Sequence, residues 1–273
     1  MATGTSQRMS IITDELRSQF DTYLRKHFIT PDVERDATDK VVRYWVANEK
    51  MGFVLHSDLS ADDDLDAIIQ AQLAYFKDKG AEAIEWKHYD YDAPDSLPMH
   101  LLKNGLQPDE REAVMVLEIA SAPDALKATP THDIRKVTDA TMLEDADRVH
   151  NAIWEGKRTA SERVLAMWDA DPSSVSVHIA YVDDEPVSYG RVEFPAGEGN
   201  PFASIWAGAT LPEYRQRGIY TQLVAARLKE AKERGYAYLT VDAMPNTSMP
   251  ILQKRGFERL AFATGFVWSV NTT

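Results

Sequence analysis

Leu211-Pro212-Glu213-Tyr214-Arg215-Gln216-Arg217-Gly218-Ile219-Tyr220-Thr221 is the stretch on which the reading of this chain turns. Before it, residues 202–210 (FASIWAGAT) read as a strand. After it, Leu223, Val224, Arg227, Leu228 and Ala231 recur at helical spacing until Gly235. A strand therefore ends, a tight turn holds one glycine and two arginines, and a long helix begins. The first turn of a helix offers free N–H groups and the positive end of the peptide dipole, which together hold phosphate. Gly218 has no Cβ and lets an anion approach the backbone. Arg215 and Arg217 add fixed positive charge. A pyrophosphate is the natural ligand. The pattern is neither G-x-G-x-x-G nor a P-loop, because the second glycine and the lysine are missing.

Outward from this stretch, the second half reads strand (133–137), helix to about 154, helix (161–169), and three strands (176–182, 186–194, 202–210). The long helix, a strand (237–241), a short helix and a last strand (262–270) follow. This is a mixed α/β domain. The first half ends in the same order: an apolar helix pattern (Leu65, Ile68, Ile69, Leu73, Phe76) to Gly80, a strand at 83–86, PDSLPMHLLKNGL, and a strand at 113–119. Residues 94–105 align without a gap with residues 245–256, which open PNTSMPILQKRGF. Two copies of one fold are predicted, each with its own mixed, mostly antiparallel sheet flanked by helices. The segment 121–131 (SAPDALKATPT) carries two prolines and reads as a linker. The expected divisions are a flexible tail over 1–10, a first copy over 11–120, a linker over 121–130 and a second copy over 131–273.

Composition bounds the function. Of 273 residues 44% are hydrophobic, which is enough to build cores. A net charge of −13 opposes nucleic acid and suits a cationic partner. With no cysteine, disulfides and thiolate chemistry are excluded. No apolar run is long enough to span a membrane and no secretion signal is seen, so a cytoplasmic protein is expected, as monomer or homodimer. The seven histidines, His27, His56, His88, His100, His132, His150 and His178, form no i, i+4 pair, and no metal is expected.

The turn Arg215-Gln216-Arg217-Gly218-Ile219-Tyr220 resembles the phosphate loop R/Q-x-x-G-x-G/A of the GNAT superfamily of N-acetyltransferases, matching at Arg215 and Gly218. Ile205-Trp206-Ala207-Gly208-Ala209-Thr210 looks like that family's acetyl-CoA strand, and Ser248 through Phe257 like its second block. The layout is similar to bacterial two-domain members. The resemblance implies two parallel strands that splay at 208–210 and 240–243, so that the pantetheine arm pairs as a pseudo-strand. It implies acetyl-CoA contacts at Gly208, Ala209, Thr210, Arg215, Gln216, Arg217, Gly218, Ile219, Tyr220, Thr221, Asn246 and Ser248, with a Gly208 N–H serving the oxyanion. Two departures stand out. Tyr220 replaces a small residue, so the loop is tighter or the ring turns outward. Leu252 stands where many members carry a tyrosine that protonates the leaving thiolate; Ser248 and Tyr220 are the nearest other hydroxyls.

Glu193 and Asp242 are the candidate bases for an attacking amine. Each also has an ordinary reading, Glu193 as an exposed strand residue and Asp242 as a carboxylate capping the next helix. In the first copy the position of the phosphate loop reads Ser60-Ala61-Asp62-Asp63-Asp64-Leu65-Asp66, whose carboxylates repel pyrophosphate, so only the second copy is expected to bind the cofactor. The expected activity is acetyl transfer to the primary amine of a small molecule or protein. The rival is a coenzyme A-binding sensor without turnover. Acceptor preference is expected in loops such as 196–200.

Overall fold

A computed structural model of the chain describes residues 10–154 and 160–270. The first half runs α1 (Asp14–Phe20, continued by a wider turn over Asp21–Lys26), β1 (Glu34–Ala37), β2 (Val41–Val46), β3 (Met51–Ser57), α2 (Leu65–Asp78), β4 (Ala83–Tyr89), α3 (Leu97–Lys103), β5 (Gln107–Pro108) and β6 (Glu112–Glu118). A short α4 (Asp124–Lys127) leads to β7 (Asp133–Lys136), α5 (Ala140–Ile153), α6 (Ala160–Ala170), β8 (Val175–Val182), β9 (Glu185–Glu193) and β10 (Phe202–Thr210). Then come α7 (Ile219–Glu233), β11 (Tyr238–Ala243), α8 (Ser248–Gln253) and β12 (Glu258–Ser269). The element order α2, β4, α3, β6 recurs as α7, β11, α8, β12, and Gly80 and Gly235 close the two long helices in the left-handed region at φ 84° and 87°.

The fold class is mixed α/β, as read, but the two copies do not keep separate sheets. All strands join one sheet in the order β1-β2-β3-β4-β12-β6-β11-β10-β9-β8-β7, with β5 beside β12. The last strand of each copy lies in the other copy's half. β6 pairs with β11 over Ala113–Glu118, and β12 pairs with β4 over Ala263–Ser269. The two exchanged strands also pair with each other. The sequence repeat cannot reveal this, because either partner satisfies the same hydrogen bonds and burial pattern. The linker also differs from expectation. Within that stretch Ala122 and, on α4, Leu126 are buried in the same core as Ile119 and the apolar residues of α7. Of the tail expected over 1–10, only Ser10 lies within the described residues; its hydroxyl donates to Glu258.

Alternation along the strands separates two faces of the sheet. Ala113, Met115 and Leu117 of β6 face α7, while Val114 and Val116 face α1. Ile84 and Trp86 of β4 pack under α2, and Glu85, Lys87 and Tyr89 point the other way. Among the described residues no helix is long and apolar enough to cross a membrane.

Because each half lends its final strand, neither half closes a sheet alone. Residues 131–273 expressed alone are expected to aggregate, and co-expression with residues 1–130 to restore a soluble complex by gel filtration. A stable, folded monomer of 131–273 contradicts the exchange.

Candidate functional site

β10 and β11 run parallel and pair only over Phe202–Ser204 and Tyr238–Thr240. β10 then continues to Thr210 and β11 to Ala243 without a partner between them, so a wedge opens. The expected splay is there, and on β10 it starts earlier than read. A bulge is its local cause. Ala207 and Gly208 together oppose Gly190 of β9, and Ala207 takes φ 51°, which bends β10 away. Arg227 of α7 lies beneath that bulge: a Cβ on Gly190 would sit 2.7 Å from its Nη1. Its guanidinium is fully buried, donates to the carbonyls of Leu223 and Arg191, and has no carboxylate partner among the described residues. Burial lowers its pKa below the usual arginine value.

The α7 N-terminus lies at the end of this wedge. Gly218 takes φ 81°, a conformation that costs other residues about 1 kcal/mol or more. No side chain caps α7, whereas Asp64 accepts from Ala67 N on α2 and Asp139 accepts from Met142 N on α5. The first-turn N–H groups of α7 thus face outward without a protein acceptor. Arg215, Gln216, Arg217 and Gly218 are exposed. Arg215 donates from Nε to the Thr210 carbonyl at 3.0 Å, and Arg217 stacks on Tyr214; neither has a carboxylate partner among the described residues. Thr221 accepts from Arg255, which ties the start of α7 to the end of α8. Ile219 is buried in a small core with Ala180 and Val187. Ser248 accepts from Met244 N at 2.8 Å, and Asn246 is exposed beside it.

Tyr220 corrects the reading. Its ring does not turn outward but lies on Gly208: a Cβ there would meet ring carbon Cε2 at 2.8 Å. The small residue that a family member keeps in the loop is thus traded for a small residue on the strand. Leu252 is fully buried in the core and offers no hydroxyl, as its sequence position implied.

On the face opposite α7, the wedge opens into a cavity of about 580 Å³. Its floor crosses the sheet from Arg191 and Glu193 on β9, through Ser204, Trp206, Thr240 and Asp242, to Glu85 and Lys87 on β4 and Phe53 on β3. The structure brings Glu193 and Asp242 together here. Glu193 is not exposed: it is buried, and its Oε1 lies 2.8 Å from Arg191 Nε and 3.5 Å from Arg163 Nε. Asp242 caps no helix; it accepts from Lys87 Nζ at 2.5 Å, while the same ammonium reaches Glu112 at 3.0 Å. The carboxylates beside Lys87 raise its pKa against the effect of burial, so it stays charged. Loop 196–200 does not line this cavity; Ala196 N donates to the Ile29 carbonyl instead. Lys87, Glu85, Glu112, Arg163 and Arg191 escaped the sequence reading. They converge from β4, β6, α6 and β9, and β6 is one of the two exchanged strands.

The first copy has a matching wedge, because β3 and β4 pair only through Val54 and Trp86. There the protein fills the space itself. Arg25 donates to the Leu55 carbonyl and to Asp21 and Asp92, and stacks on Tyr89 at 4.0 Å. At the start of α2, Asp63 and Asp64 accept backbone N–H groups, and Asp66 binds His100, Lys103 and Asn104.

The model of the Acetyltransferase (GNAT) family matches residues 141–257. No curated protein sequence matches the chain. Among solved structures, a conserved protein of unknown function from Staphylococcus epidermidis superposes with a TM-score of 0.68 at 14% identity, covering 88% of this chain and 96% of that one. A GCN5-related N-acetyltransferase from Kribbella flavida gives 0.66 at 15% identity, covering 96% and 97%. A tandem GNAT protein from the clavulanic acid biosynthesis pathway gives 0.58 at 14%, covering 89% and 85%. These likenesses are of fold. The family transfers acetyl groups from acetyl-CoA.

The Tyr220–Gly208 contact is testable. Gly208→Ala is expected to displace the ring and lower stability by about 1–3 kcal/mol. Tyr220→Ala in that background is expected to recover most of the loss in denaturant unfolding. Strictly additive effects contradict the contact.

Proposed function

We propose that the chain is an acetyl-CoA-dependent N-acetyltransferase that works through residues 131–273 and acetylates a primary amine by direct attack on the thioester. The observation that carries this reading is the open wedge between β10 and β11 beside an uncapped α7 with two arginines free of carboxylates. These groups fit acetyl-CoA. Arg215, Arg217 and the N–H groups from Gly218 to Thr221 suit the pyrophosphate. Gln216 and Ile219 shape that turn, and Asn246, in the turn after β11, and Ser248, at the start of α8, follow the wedge strand. The unpaired edge at Gly208, Ala209 and Thr210 suits the pantetheine amides. Tyr220 has to leave Gly208 as the arm enters.

In the reaction the amine nitrogen bonds to the carbonyl carbon, the C–S bond breaks, and the amine proton leaves. The Gly208 N–H, at the bulge and beyond the end of the β11 pairing, is the candidate donor to the developing oxyanion. The buried charge of Arg227 beneath it favours the same negative charge. Of the two candidate bases, Asp242 is the better placed. It lies on a wedge strand and retains some exposure, whereas Glu193 is enclosed by two arginines. The Tyr220 hydroxyl lies beside Gly208, and Ser248 accepts from Met244 N. The first copy, whose wedge and helix start are filled by its own side chains, binds no cofactor in this reading and contributes the acceptor cavity.

One observation favours the rival reading of a coenzyme A sensor: both candidate bases are ion-paired. Thiol release from acetyl-CoA with a panel of primary amines separates the two. Turnover is expected, with Asp242→Asn lowering kcat about 10²-fold or more. Binding without release supports the sensor. Replacing Arg215 and Arg217 by Glu is expected to weaken acetyl-CoA at least 10²-fold by calorimetry. Unchanged affinity refutes the pyrophosphate site.

A further inference from the structure

The cavity opposite α7 holds a carboxylate that nothing among the described residues neutralises directly. Glu85, on β4, is half-buried and has no hydrogen bond or ion pair among the described residues. Every other buried or half-buried carboxylate on that floor has a partner: Glu193 has Arg191 and Arg163, Asp242 and Glu112 share Lys87, and Glu49 has Arg163. The Glu85 carboxylate lies flat on β12, where a Cβ on Gly265 would sit 2.8 Å from its Oε1. Burial raises its pKa, which marks a carboxylate short of a cation. Around it stand Glu112, Asp109 and Asp242, against Lys87 alone.

We infer that Glu85 is the subsite for a second cationic group on the acceptor, which is therefore an elongated di- or polyamine rather than a monoamine. The inference rests on the transferase reading for the location of the reacting amine, at the mouth of the wedge between β10 and β11. From that mouth to the Glu85 carboxylate over β12 is two to three strand spacings, roughly 10–14 Å. The floor between them is polar and acidic. Beyond Glu85 it turns apolar at Phe53, Leu55 and Val46, under Phe28. A chain of amines and methylenes fits that order: one amine at the wedge, the next at Glu85. The first copy supplies this subsite, and the exchange of β12 brings Gly265, rather than a bulkier side chain, beneath the carboxylate.

The test uses the full chain without acetyl-CoA, with spermidine and hexylamine as probes in calorimetric titrations. Spermidine is expected to bind at least roughly tenfold tighter than hexylamine. Glu85→Gln is expected to abolish most of that preference and to leave hexylamine unchanged. Because the substitution removes an unpaired half-buried anion, its melting temperature is expected to stay level or rise. Glu85→Asp, which keeps the charge, is expected to retain part of the preference. Equal binding of the two probes by the wild type overturns the inference, as does a spermidine affinity unaffected in Glu85→Gln. Thiol release is read separately. Spermidine binding without release keeps the subsite and defeats the transferase reading. Release with hexylamine but no spermidine preference does the reverse.

Discussion

The pairing of the two exchanged strands governs the rest of the molecule. β6 and β12 lie side by side at the centre of the sheet, each bonded outward to a strand of the other copy. This fuses two half-sheets into one continuous surface. It also fixes what lies beneath the cavity: Asp242 on β11, Glu112 on β6, Gly265 on β12 and Lys87 on β4 are successive neighbours across four strands. The bond from Lys87 to Asp242 joins the first copy to a strand of the wedge. Neither a catalytic domain nor a supporting one can be cut out of such a sheet without leaving open edges.

The two wedges share a backbone geometry and differ in what fills them. In the first copy Arg25 occupies the space and carboxylates satisfy the helix start. In the second, β10 has no partner on its β11 side beyond Ser204, and no side chain caps the α7 terminus. The difference is one of polar accounting. Backbone donors that the protein does not satisfy require water or a ligand. Only Tyr220 intrudes, and its contact with Gly208 is a packing contact rather than a set of hydrogen bonds. Such a plug leaves the backbone groups open to a ligand that can offer them amides.

Much of this was legible in the sequence because it is local. The turn at Arg215–Gly218, the helix that follows, the repeat of helix, strand, short helix and glycine, and the aspartates at 62–66 each declare themselves within about a dozen residues. The burial of Ala122 and Leu126 is not legible, because two prolines within 121–131 signal a turn-rich segment and the core they enter is built by the distant α7. What escaped is non-local. Strand exchange depends on which of two equivalent partners a strand chooses, and both choices give the same pattern of burial. Glu193 is legible as a candidate base, but its burial between two arginines is not, because nothing nearby in sequence announces Arg163 across the cavity. Lys87 and Glu85 alternate with Ile84 and Trp86 as any half-buried strand does, and only the assembled sheet gives them a shared cavity.

The central claim is that acetyl-CoA enters the β10–β11 wedge and not the β3–β4 wedge. Backbone amide hydrogen exchange with and without acetyl-CoA tests it most directly. The account predicts new protection over 205–210 and 215–221, with residues 51–66 unchanged. Protection at 51–66, or none at 215–221, would contradict it.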